Sequence, residues 1–257
     1  MLEVQNLSKS YRSIPAIQNV SFRVKAGEIV GYLGANGSGK STTVKIVTGL
    51  LRPSEGRVLF RGEDIRSDLP RYRKFLGYIP EEAHLYAYMS GMEYLQLVGR
   101  LRGMSERSIA AKANQLLRLL GLESWRYSPM SLYSKGMRQR VLMAASLMHN
   151  PELLIFDEPL SGLDILSARL FKDLLQQLAA NGKAILYISH VLEIVEQLCN
   201  RVLVISKGKI LADASPAELA RTMRLANLEK AFAQLVEQQD TLSIARELVE
   251  TVQACDE

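Results

Sequence analysis

Three glycines, a lysine and three hydroxyl residues fall together in the string Gly34-Ala35-Asn36-Gly37-Ser38-Gly39-Lys40-Ser41-Thr42. An apolar run, Ile29–Leu33, precedes it, and a helical pattern, Thr43–Leu50, follows. The spacing is Gly-x4-Gly-Lys-Ser/Thr in strand–loop–helix context, the arrangement that wraps a phosphate. Glycines remove side chains, so that successive backbone N–H groups can close on an anion. The loop ends at a helix N-terminus, where unpaired donors and the macrodipole favour negative charge. Lys40 adds a point charge suited to β- and γ-phosphates, and the Ser41 hydroxyl is suited to magnesium. The chemistry expected here is binding of a nucleoside triphosphate with Mg2+.

A phosphate loop needs a carboxylate from a neighbouring buried strand before it can hydrolyse anything. Leu153-Leu154-Ile155-Phe156-Asp157-Glu158 supplies two, with Pro159 ending the strand. Asp157 is expected to hold magnesium, directly or through water. Glu158 is expected to polarise the attacking water as general base.

These groups need elements to position them. Gln18–Lys25 alternates, with Val20, Phe22 and Val24 on one face; Ala26-Gly27 marks a turn, and Glu28–Leu33 reads as a buried strand. Arg57–Arg61 and Phe75–Ile79 read as further strands, with a turn at Gly62-Glu63-Asp64. From Ser90 to about Asn150 the pattern becomes helical. Gly91–Arg102 and Glu106–Leu120 are amphipathic, the second with Ile109, Ala113, Leu116, Leu117 and Leu120 on one stripe behind a cap at Ser105. Then short apolar runs, Leu153–Phe156, Ala184–Ile188 and Val202–Ile205, alternate with helical patterns, which implies parallel strands in an α/β sheet.

The chain has 257 residues, 47% apolar and 23% charged, a composition that argues for a globular core and against disorder. Its longest charge-free runs, Ile29–Gly39 and Val141–Pro151, are eleven residues each. A membrane-spanning helix needs roughly 18. Cys199 and Cys255 stand far apart without metal-ligand spacing, which argues against a disulfide scaffold or a zinc site. The opening residues lack the apolar stretch of a signal peptide, so a cytoplasmic location is expected. The net charge is +5, but residues 224–257 carry −4 and the rest +9. Such an excess fits a phosphate-rich partner.

Further motifs lie in series along the chain. Tyr133-Ser134-Lys135-Gly136-Met137 precedes a helix, Ser161-Gly162-Leu163-Asp164 follows the acidic pair, His190 stands just past the strand Ala184–Ile188, and Tyr11 lies near the start. Taken in this order with the phosphate loop, they make residues 2–215 resemble the nucleotide-binding subunit of ATP-binding cassette (ABC) transporters. The resemblance implies a P-loop NTPase core with an antiparallel β subdomain, an inserted α-helical subdomain at about 90–150 and a C-terminal helical tail. The domain would run over 1–223, with an acidic extension at 224–257 that either packs on the core or joins a dimer contact.

The resemblance also implies roles. Tyr11 would stack on adenine, residues 34–42 would bind the phosphates, and His190 would contact the γ-phosphate. Ser134, Lys135 and Gly136 would face the ATP held by a second subunit, and Ser161, Gly162, Leu163 and Asp164 would cross the interface between the two. Lys135 in the first turn of a helix opposes the macrodipole, so an anion opposite it is expected. Where the family has glutamine after the Phe75–Ile79 strand, this chain has Glu81, which could reach magnesium only through water. Residues 82–90, with His84, Tyr86 and Tyr88, lie where the family meets its membrane partner. The implied partners are an integral membrane permease and a second nucleotide-binding subunit, homodimeric or pseudo-dimeric, on the cytoplasmic face of the inner membrane. Bacterial exporters are the most similar branch. A soluble relative acting on nucleic acid or ribosomes would suit the basic core, but the chain has one phosphate loop and no long insertion. A small-molecule kinase would leave the Ser134 and Ser161 motifs and His190 without a use.

Overall fold

A strand with alternating polar and apolar residues buries one face. The computed structural model, which describes residues 1–82 and 85–222, pairs β1 (Leu2–Tyr11) with β2 (Ile14–Val24), burying Val20, Phe22 and Val24. Next come β3 (Ile29–Leu33), α1 (Lys40–Val47), β4 (Glu55–Phe60), β5 (Glu63–Asp64), α2 (Leu69–Lys74) and β6 (Leu76–Ile79). Three helices, α3 (Gly91–Leu101), α4 (Glu106–Leu119) and α5 (Lys135–Leu147), stand between β6 and β7 (Leu153–Asp157). They are the expected insertion. α6 (Ile165–Ala180), β8 (Ala184–Ile188), α7 (Leu192–Leu198), β9 (Arg201–Ser206), β10 (Lys209–Ala214) and α8 (Pro216–Thr222) follow.

The strands form two sheets, β2-β1-β4-β5 and β10-β9-β3-β8-β7-β6. The first is antiparallel; in the second, β9, β3, β8, β7 and β6 run parallel. Every residue of β3, β7 and β8 is buried, as expected of parallel strands covered on both faces. Their alternate residues feed two cores. Val30, Tyr32, Leu153, Ile155 and Leu186 meet the antiparallel sheet and α1, while Leu33, Leu154, Phe156, Ile185 and Tyr187 meet the helices on the other face.

The insertion is fixed at its start by Ser90. Its hydroxyl accepts from the Glu93 amide at 3.2 Å, and the Glu93 carboxylate accepts from the Ser90 amide at 2.7 Å. This reciprocal cap satisfies two donors that a helix start leaves open. On α4 the expected stripe is buried at Ile109, Ala113 and Leu117, with Ser105 as cap.

Three local features differ from the expectation. The turn after β4 falls one residue earlier, at Arg61 and Gly62, both with positive φ, so that Glu63 and Asp64 pair back as β5. α2 has no periodic signal because it is six residues long; Asp68 caps it and Tyr72 anchors it, donating to the Val47 carbonyl at 2.9 Å. The last strand, β10, is antiparallel to β9, reached through a tight turn at Lys207 and Gly208. Among the described residues no helix is long and apolar enough to cross a membrane. His84 and the expected tail at 224–257 lie outside the described residues.

Candidate active site

The sheet delivers its chemistry at the C-terminal ends of β3, β7 and β8. β3 ends at Leu33, and Gly34–Gly39 turns into α1. Gly39 caps that helix with φ 109°, and a Cβ on it would lie 2.6 Å from the Ile17 side chain and 2.7 Å from the Ala16 carbonyl. Only glycine fits there. Gly37 has φ 77° with open space where a Cβ would stand. α1 has no side-chain cap and no acid in its first turn, so its leading N–H groups are left for an anion. Lys40 bends over the loop and donates to the carbonyls of Gly34 at 2.7 Å and Ala35 at 3.1 Å. Ser38 is buried, with a hydroxyl that has no hydrogen-bond partner.

β7 ends in Asp157, which is 7% exposed, and Glu158 follows with φ 48°, a left-handed conformation uncommon outside glycine. Its amide donates to the Ile188 carbonyl at the end of β8, at 3.0 Å. Its carboxylate is held by three donors. The Ser189 hydroxyl reaches Oε2 at 3.1 Å; the His190 amide and Nδ1 both reach Oε1, at 2.8 and 2.7 Å. A carboxylate only accepts, so Nδ1 carries a proton in this contact. With about four acceptor sites on a carboxylate, the free one is on Oε2.

These elements enclose a cleft of about 190 Å³, lined by Asn36, Gly37, Gly39, Lys40, Ser41 and Thr42 on one side and by Glu81, Asp157, Glu158 and His190 on the other. Burial pushes Asp157 up to about 6, helped by the charges of Glu81 and Glu158 and opposed by Lys40 and Lys45. Burial also lowers Lys40, against the attraction of Glu158, Asp157 and Glu81. The same two influences, burial and the nearby Asp157 and Glu81, push Tyr78 up to about 12. The cleft thus holds more negative charge than it can stabilise alone, on hard oxygen donors. That donor set fits magnesium, which takes one or two carboxylates together with substrate phosphates. Among the described residues no group of three or more His, Cys, Asp or Glu forms a metal cage of its own.

The structure therefore brings together most of the phosphate string, Glu81, both acids and His190. It leaves two other groups elsewhere. Tyr11, at the end of β1, is half exposed with the Lys9 ammonium 5.7 Å from its ring centre, and it does not line the cleft. Ser134 caps α5, accepting from the Met137 amide at 3.1 Å, and Asp164 caps α6, accepting from the Ser167 amide at 2.9 Å. Lys135, although exposed, donates to the Ser161 hydroxyl of its own chain at 2.8 Å. Three residues of the site carry no sequence signal by themselves: Ala16, which lines the cleft, Ser189, and Gln139, which is buried and donates to the Pro159 carbonyl at 2.9 Å. Ser189 could have been found as the residue between a strand end and His190.

The ABC transporter family model matches residues 17–161. The chain is 35% identical over 220 residues to the ABC transporter ATP-binding protein NatA of Bacillus subtilis (strain 168), covering 85% of this chain and 89% of the relative. It is 36% identical over 219 residues to the Nod factor export ATP-binding protein I of Cupriavidus metallidurans, covering 85% and 72%. Among solved structures, an ATP-binding subunit of an ABC transporter matches with a TM-score of 0.86 at 32% identity, over 91% of this chain and 99% of that one. A dimeric ATP-binding cassette in a post-hydrolysis state, bound to ADP and Pi, matches with a TM-score of 0.78 at 25% identity, over 84% and 98%. With a phosphate loop, a buried acid and a held glutamate converging on one cleft, this chain belongs to the ABC transporter family as an ATP-binding subunit and is an ATPase.

Proposed function

We propose that the chain drives export of a substrate through a separate integral membrane permease, working as one of two nucleotide-binding subunits on the cytoplasmic face of the membrane. The observation that carries the hydrolytic half is the Glu158 carboxylate, fixed by Ser189 and His190 with one acceptor site left toward the cleft. That site takes the proton of the attacking water. Residues 34–42 bind the phosphates of ATP, and Lys40 and the Nε2 side of His190 contact the γ-phosphate. Ser41 and Asp157 hold Mg2+, with Glu81 reaching it through water. The ion, when bound, supplies positive charge against the phosphate oxygens. Tyr11 stacks on adenine.

Ser134 and Gly136 lie outside the cleft of their own chain, and in this reading they complete the cleft of a second copy. Ser161, Gly162, Leu163 and Asp164 cross between the copies. The domain runs over 1–223, and 224–257 forms an extension. The dimeric form of the ADP- and Pi-bound cassette supports the pairing. The relative whose name specifies Nod factor export, and another specified as a linearmycin resistance protein, support the outward direction. The test has two arms. The full chain should release phosphate from Mg-ATP without any acceptor, and from cells it should co-purify with an integral membrane protein. Co-purification with RNA instead would overturn the transport reading.

A further inference from the structure

We propose that Lys135 is a positioning residue within its own chain: it clasps the Pro159–Gly162 loop and so holds the Glu158 backbone that precedes it. The inference rests on Glu158 being the base. The Lys135 ammonium donates to the Ser161 hydroxyl at 2.8 Å. Its methylene stem lies flat on Gly162, where an added Cβ would stand 2.7 Å from the lysine Cδ. One residue on, a Cβ at Gly136 would stand 2.8 Å from the Gly162 carbonyl. Gln139 adds a buried hydrogen bond to the Pro159 carbonyl. The first turns of α5 therefore grip this loop at three points.

The loop is continuous with the base. The Ser161 amide donates to the Glu158 carbonyl at 3.1 Å, closing a turn directly on Glu158. Glu158 has φ 48°, a conformation that a non-glycine residue keeps at a cost and that its surroundings must hold. On one side the Glu158 amide is bonded to Ile188; on the other, the turn is held by Lys135 and Gln139. Releasing the clasp lets the backbone relax and moves the carboxylate off Ser189 and His190. This also accounts for a cation in the first turn of a helix, where the macrodipole disfavours it. The Ser161 contact supplies a reason that the helix does not.

Phosphate release by the full chain with Mg-ATP should be compared for wild type, Lys135→Met, Ser161→Ala, the double variant and Lys135→Arg. Each single removal is expected to lower kcat on the order of tenfold while KM stays within about twofold. The double variant should be no slower than Lys135→Met, because both remove one contact. Lys135→Arg, which can still donate to Ser161, should recover most of kcat. The clasp is overturned if the two single losses multiply in the double variant, if Lys135→Met keeps full kcat, or if Ser161→Ala is silent while Lys135→Met is not. That last result would place Lys135 on the phosphate of a second copy. Failure of the underlying reading looks different: Glu158→Gln would then hydrolyse ATP at the wild-type rate.

Discussion

The cleft at the ends of β3 and β7 and the Ser134–Asp164 region both gather polar and charged side chains into a few residues, but they hold them differently. In the cleft, Asp157 is buried at 7% exposure and its ionisation is displaced by burial and by two neighbouring carboxylates. In the other region Ser134, Lys135 and Asp164 are exposed, and each has a local partner: a helix amide, a loop hydroxyl, a helix amide. A buried charge cluster is unfavourable until a ligand arrives, so its function is written into its energetics. Exposed caps are satisfied as they stand, and a single chain gives them nothing further to do. The cleft is a site in one chain; in the proposed dimer the Ser134 region would become one opposite a second nucleotide.

The comparison breaks most sharply at Glu158. Replacing it with Gln keeps the shape but removes the basic oxygen. Turnover should fall on the order of a hundred- to ten-thousandfold in a phosphate-release assay. ATP binding should persist, and the variant should accumulate as a closed dimer on sizing with ATP. Hydrolysis at the normal rate would remove the base from the mechanism.

Asp157→Asn tests whether the charge in the cleft is costly. The carboxyl is raised from an ordinary 3.8 to about 6. Well below pH 3.8 it is protonated in both folded and unfolded chains, so burial costs no ionisation energy. As pH rises, the unfolded chain ionises first, and the folded state loses stability until the folded group has ionised too, above about 6. The stability of Asp157→Asn relative to wild type should therefore increase by about 3 kcal/mol between acid and neutral pH, measured by denaturant unfolding in EDTA. Any fixed cost of burying the amide cancels in that difference. A flat difference across the range would show that the cluster carries no strain. Lys40→Ala should weaken ATP binding by about ten- to a hundredfold, the scale of a lost charge-assisted hydrogen bond.

The same contrast governs what could be read from residues alone. The phosphate loop was legible because its whole function is local: glycines, lysine and hydroxyl are contiguous and act through one turn of backbone. The central strands were legible because both faces are buried, so Leu153–Phe156 and Ala184–Ile188 are unbroken apolar runs. α2 and β5 were not, since six and two residues are too few for a period and their caps and turns decide them. Nor was the direction of β10, which one tight turn at Lys207 and Gly208 reverses. The Glu158–His190 contact joins residues 32 apart in sequence, and the Lys135–Ser161 contact joins residues 26 apart. The macrodipole argument gave Lys135 an anion as its partner; no sequence rule brings the Ser161 hydroxyl beside it.

The smallest effect separates the two meanings of Ser134. As a cap, its hydroxyl accepts from the Met137 amide, and Ser134→Ala should cost about 1 kcal/mol in thermal or denaturant unfolding. Ser134→Asp keeps a capping oxygen and adds a charge that suits a helix start, so stability should return to the wild-type level. Toward a second copy's triphosphate the same carboxylate is repulsive. Hydrolysis by Ser134→Asp should therefore stay at or below that of Ser134→Ala even though the fold is restored. If stability and hydrolysis recover together, Ser134 acts as a cap alone, and the region has no role toward a second nucleotide that depends on this hydroxyl.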